Sequence, residues 1–82
     1  MAQKKNIEKL KEGPNTFPWK DVCSLLNYFG YKQEEKAGSR VRFYNKNTKR
    51  MIRLHRPHPD KNLKGGALKA LIEFLDNEGH LS

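Results

Sequence analysis

The segment His55-Arg56-Pro57-His58-Pro59 sets two imidazoles three positions apart, the second of them between prolines. A residue that precedes proline is driven toward extended backbone, so Arg56 and His58 are both restricted and His58 stands on a stiff stem. Histidine changes charge near neutrality and can take or give a proton at cellular pH. Cutting a ribose–phosphate chain without a metal needs a base for the 2′-hydroxyl, an acid for the leaving 5′-oxygen, and cations around the charged phosphorus. His58, helped by His55, can supply the proton transfers, and Arg40, Arg42, Arg53, Arg56 and Lys64 are the candidate stabilisers. Zinc fits less well, because two imidazoles and Asp60 do not make a standard cage and no cysteine is close. Simpler roles also exist: the histidines can anchor phosphate when protonated, or be ordinary surface loop residues.

The charge around these histidines is uneven. Residues 36–64 carry ten of the seventeen Lys and Arg and only one acid, Asp60, a local balance of +9. The other 53 residues hold seven basic and eight acidic side chains. A cationic block of this kind favours an anionic partner: nucleic acid, an anionic membrane or an acidic protein. The membrane is disfavoured, since no apolar run approaches the ~20 residues of a span. The start, Met1-Ala2-Gln3-Lys4-Lys5-Asn6, lacks the hydrophobic centre of a signal peptide, so a cytoplasmic place is expected. The lone Cys23 excludes an internal disulfide and, among Val22, Leu25 and Leu26, reads as a buried helix residue.

Eighty-two residues make one domain, which buries only roughly 60–65% of the surface of its unfolded chain. Residues 1–16 read as an N-terminal arm with a short helix over 3–12, ended by Gly13-Pro14-Asn15. The domain proper then covers 17–82. Trp19, Val22, Leu25, Leu26 and Phe29 recur at helical spacing, with Pro18 in the first turn and Gly30 as the stop, which predicts a helix over about 18–29. Tyr31 to Lys36 reads as an edge strand. Along the next strand Val41 and Phe43 point one way and Arg40, Arg42 and Tyr44 the other. Asn45 to Lys49 is a polar hairpin loop. On the return strand Ile52 and Leu54 face one side, and Met51, Arg53 and His55 the opposite one. The prolines at 57 and 59 end that strand. Leu68, Leu71, Ile72 and Leu75 form the stripe of a last helix over about 64–77, with Gly79 as its stop. His80 follows, where the helix dipole favours a cation, in a structural place. Gly65-Gly66 suits a tight turn, or amides that cradle a phosphate.

The order is therefore α-β-β-β-α, an α+β fold in which two helices cover one face of a three-stranded antiparallel sheet. The pleat gathers Arg40, Arg42, Tyr44 and Arg53 on the other face. Guanidinium groups pair with phosphates and a tyrosine ring stacks on bases, so this face reads as an RNA-binding platform.

With this layout, Leu25-Leu26-Asn27-Tyr28-Phe29-Gly30-Tyr31, Gly38-Ser39-Arg40, the His-Pro-rich exit and Leu63-Lys64-Gly65-Gly66-Ala67-Leu68-Lys69-Ala70-Leu71-Ile72 resemble the HicA family of bacterial toxins over about residues 17–81. The resemblance implies a double-stranded-RNA-binding-domain-like fold. It also implies an mRNA interferase, a metal-independent endoribonuclease of a type II toxin–antitoxin pair, needing no cofactor and silenced by a HicB-like antitoxin. The family usually reads Gly-Ser-His where this chain has Gly38-Ser39-Arg40, and that histidine is its catalytic group. Arginine cannot act as a base near neutral pH. His58 falls where many members have a second histidine. Ala67 replaces the family's usual threonine. Two alternatives stay open: a non-catalytic RNA-binding module on this scaffold, and a basic interaction domain for an acidic protein.

Overall fold

The computed structural model describes residues 2–58 and 61–81. Pro59 and Asp60, one of the two strand-ending prolines and the carboxylate beside the histidines, lie outside the described residues. In chain order the elements are α1 (Ala2–Lys11), β1 (Thr16–Pro18), α2 (Trp19–Tyr28), β2 (Tyr31–Glu35), β3 (Arg40–Asn45), β4 (Arg50–His55), β5 (Asn62–Lys64) and α3 (Gly65–Asn77).

Strands β2, β3 and β4 form an antiparallel meander. Its register pairs Val41 with Leu54 and Phe43 with Ile52. These lie on the face that α2 and α3 cover. Val22, Leu25 and Leu26 of α2 and Leu68, Leu71 and Leu75 of α3 join Val41, Phe43 and Leu54 in one buried cluster. The heptad-like spacing on each helix and the period of two on each strand thus meet at a single core.

A second, two-stranded sheet pairs β1 with β5, with Phe17 opposite Leu63. Pro18, expected in the first turn of the helix, is instead the last residue of β1 and the extended residue before α2. Each of these strands buries one apolar side chain, Phe17 or Leu63. The expected N-terminal helix is present as α1. Its Leu10 is wholly buried in the same cluster, and Gln3 Nε2 donates to Ser24 Oγ of α2 at 2.8 Å.

Asn45 is the one buried polar side chain of the described residues, 3% exposed. Its Oδ1 accepts from the Asn47 and Thr48 amides at 2.9 and 3.2 Å, and its Nδ2 donates to the Phe29 carbonyl at 3.2 Å. This closes the β3–β4 turn and ties it to the end of α2. Gly30 has φ +97°, and a Cβ there would stand 3.4 Å from Asn45 Nδ2, so the turn out of α2 needs glycine. No helix of the described residues is long and apolar enough to cross a membrane.

Candidate nucleic-acid interface

On the face turned away from α2 and α3 the ladder sets Arg40 across from His55, Arg42 across from Arg53, and Tyr44 across from Met51. Directly opposed residues on one face have Cβ atoms about 4.5–5.5 Å apart, so these groups form a continuous surface. Arg40, Arg53 and His55 are exposed, while Arg42 and Tyr44 are partly covered by their neighbours. The Arg42 guanidinium carbon lies 5.5 Å from the centre of the Tyr44 ring. A shallow groove of about 420 Å3 runs between Lys36, Arg40, Arg42 and Arg53. Among the described residues no carboxylate pairs with Arg40 or Arg53.

Strand β2 brings an acid onto this face. Glu34 stands opposite Arg42 in the register. Its Oε1 accepts from Arg42 Nε at 2.8 Å and lies 3.9 Å from Lys36 Nζ. Arg42 is thus flanked by Arg53 on one side and by a neutralising carboxylate on the other. Like charges directly opposed in a sheet repel, and Glu34 relieves that repulsion for Arg42.

Two arginines of the basic block point elsewhere. Arg50 is opposite the buried Asn45, on the helix side, and its Nε meets Glu78 Oε2 at 3.1 Å. Arg56 follows β4 with its amide donating to the Ser39 carbonyl at 2.7 Å, and its guanidinium pairs with Glu35 at 2.6 Å. The structure therefore gathers Arg40, Arg42, Tyr44, Arg53 and His55 and leaves Arg56 off their face.

His55 and His58 share a second hollow, of about 300 Å3, with Pro57, Lys64 and Ala67. Both imidazoles are exposed. The hollow lies where β4 ends and α3 begins. Gly65 there has φ +62°, a left-handed turn that explains the glycine without a ligand. Three groups of the described residues that could together hold a metal ion do not converge anywhere.

The remaining titratable side chains of note are structural. His80 stacks on Phe29 with centroids 4.3 Å apart, and its Nε2 is 3.1 Å from the Tyr31 hydroxyl. Burial pushes its pKa down, against the opposing effect of Glu78, so a neutral ring is favoured there rather than the cation that the helix dipole suggested. Burial likewise pushes the half-buried Cys23 thiol up, which suits a packing residue.

Sequence reasoning missed Glu34 and Glu35 as partners of the basic block. They lie just before residue 36, where that block begins, so the tally of charges along the chain did not count them. The cross-strand register was the signal that finds them, because a β2–β3 hairpin folds residue 34 back onto residue 42.

No curated protein and no solved structure matches the chain. A family model described as the HicA toxin of bacterial toxin–antitoxin matches residues 19–75, from the first residue of α2 into the last turns of α3. The match takes in the whole meander, α2, most of α3 and both histidines of the hollow, and on that ground the chain belongs to the HicA toxin family.

Proposed function

We propose that this toxin binds mRNA across the open face of its sheet and cleaves it as a metal-independent endoribonuclease. The observation that carries the reading is the shared surface of Arg40, Arg53 and His55, which continues at His55 into the hollow that holds His58. Arginines on a pleated face spaced for a phosphodiester chain hold the backbone, and Tyr44 offers a stacking surface. One imidazole takes the 2′-hydroxyl proton, and the freed oxygen attacks phosphorus. The other gives its proton to the departing 5′-oxygen, so that a 2′,3′-cyclic phosphate and a 5′-hydroxyl result. Arg40, beside His55, and the cation of Lys64 offset the charge that develops on the phosphoryl oxygens.

The position that resembles the family's catalytic histidine is Arg40 here. The ladder compensates: His55 is the cross-strand neighbour of Arg40, so an imidazole still stands at this end of the platform, carried by β4 instead of β3. This favours a larger role for His55 than its helping part beside His58. Toxins of this family pair with HicB antitoxins in type II systems. An antitoxin that lays carboxylates on the platform, as Glu34 already does on Arg42, would exclude RNA.

The test is to express the parent, His55→Ala and His58→Ala chains and follow growth and mRNA integrity. Loss of both effects in each variant, with RNA binding retained, is expected. Cleavage by both variants at the parental rate would remove the histidines from the mechanism. A second reading, a binding module without catalysis, draws on the arginine at position 40. It predicts salt-dependent RNA binding by the parent and no cleavage product at any pH from about 6 to 8.

A further inference from the structure

Beyond the histidine hollow the surface continues into a larger depression of about 500 Å3. Pro18, Trp19 and Pro57 give it apolar walls, and Lys20, Arg56 and Lys61 give it cations, with Asp21 as the one acid among its described lining residues. Arg56, Pro57 and Asn62 line both depressions, so the two lie side by side.

The larger hollow is built rather than incidental. The Trp19 ring packs edge-on against Phe43 of the core, with centroids 6.0 Å apart, and stays partly exposed. The Trp19 amide donates to the Lys61 carbonyl at 2.9 Å, which fixes the start of α2 to the chain entering β5. Glu35 holds Arg56 in place as part of the wall, while Lys20 and Lys61 stand exposed at the rim. Sites for small organic groups commonly measure about 300–1,000 Å3, and a single nucleobase with its ribose suits this one. An anchored indole offers a stacking surface for any base, and two flanking ammonium groups suit the phosphates on either side.

We propose that this hollow is a nucleotide subsite for the RNA. A base next to the bond cleaved at His55 and His58 lies against Trp19, and Lys20 and Lys61 hold the adjoining phosphates. The inference rests on the RNA-cleaving reading and deepens it. It extends the RNA track from the sheet face, past the histidines, to the beginning of α2.

Trp19 is the single tryptophan of the chain, so its emission reports on this hollow alone. The experiment titrates the full chain with a labelled single-stranded RNA of about eight nucleotides at low salt, reading label anisotropy and Trp19 fluorescence together. Because Trp19 also packs on Phe43, the variant used is Lys20→Glu with Lys61→Glu, both on exposed side chains. Expected are quenching of Trp19 along the anisotropy isotherm, and binding weakened about tenfold in the variant, in line with the loss of two phosphate contacts. If anisotropy shows binding while Trp19 emission is unmoved and the variant binds like the parent, the subsite is refuted and the platform stands. If RNA fails to bind at low salt by either signal, the subsite and the RNA reading fall together. Quenching by the antitoxin but not by RNA would make the hollow a protein contact and overturn the subsite.

Discussion

On the helix-covered face of the meander Val41, Phe43 and Leu54 are between 0% and 4% exposed, while on the opposite face their immediate neighbours Arg40, Arg53 and His55 stand in solvent. The same three strands make both surfaces, and a shift of one residue separates them. The covered face is apolar and closes with Asn45, whose hydrogen bonds are satisfied internally. Among the described residues the open face leaves Arg40 and Arg53 without carboxylate partners, and such groups are available to an anion. On the proposed function, stability falls to one set of alternate residues and recognition to the other, so substitutions on the two faces should separate the two properties.

The largest expected effect breaks the covered face. Phe43→Ala removes a wholly buried ring that touches Trp19. It should cost about 3–5 kcal/mol, as ring deletions in cores do. A domain of this size holds about 4–12 kcal/mol in all, so a large share is lost and the midpoint of equilibrium urea unfolding should fall steeply. A near-parental unfolding midpoint would mean that the ring is not part of the core.

A middling effect sharpens the open face. Glu34→Gln removes the carboxylate that holds Arg42 and should leave the fold intact, since a partly exposed surface pair of this kind contributes about 0–1 kcal/mol. The freed guanidinium should strengthen RNA binding by up to about fivefold, the affinity equivalent of that range. Weaker binding in the variant would show that Glu34 positions Arg42 for RNA instead of competing with it.

The smallest effect lies where α2, β2 and the end of α3 meet. Burial lowers the pKa of His80 below its ordinary 6.5, so on acidification the unfolded chain takes up the proton first. The stability that the neutral ring contributes is complete above pH 6.5 and is lost progressively as the pH falls below it. Urea midpoints at about pH 7.5 and 5.5 should therefore differ more for the parent than for His80→Phe. Equal pH dependence in the two chains would contradict the assignment.

Much of this arrangement was legible in the residues themselves. The alternation along 40–44 and 50–54 names both faces, and the stripes at 19–29 and 68–75 name the helices that choose between them. Strands β1 and β5 were not legible. Each has three residues and buries one apolar side chain, Phe17 or Leu63, and their pairing joins positions more than forty residues apart, so no local period marks it. Asn45 read as loop, because asparagine near a turn is ordinary and only the packed end of α2 makes it a hub. At the candidate site the composition of the basic block was visible but its division was not. Arg50 falls on the helix side by its place in the ladder, where Glu78 receives it, and Arg56 follows the end of β4 and pairs with Glu35. Pairing of that kind depends on which strands neighbour which, and the count of charges along the chain holds no such information.

The claim on which the functional account rests is that the open face of the meander holds the RNA backbone. Affinity for a short single-stranded RNA, measured by anisotropy across a series of salt concentrations, tests it most directly. The parent should show a log–log slope near −3, about 0.7 for each of roughly four phosphate contacts, and Arg40→Ala with Arg53→Ala should make that slope shallower by about 1.4 at unchanged thermal stability. An unaltered slope and affinity in that variant would contradict the account.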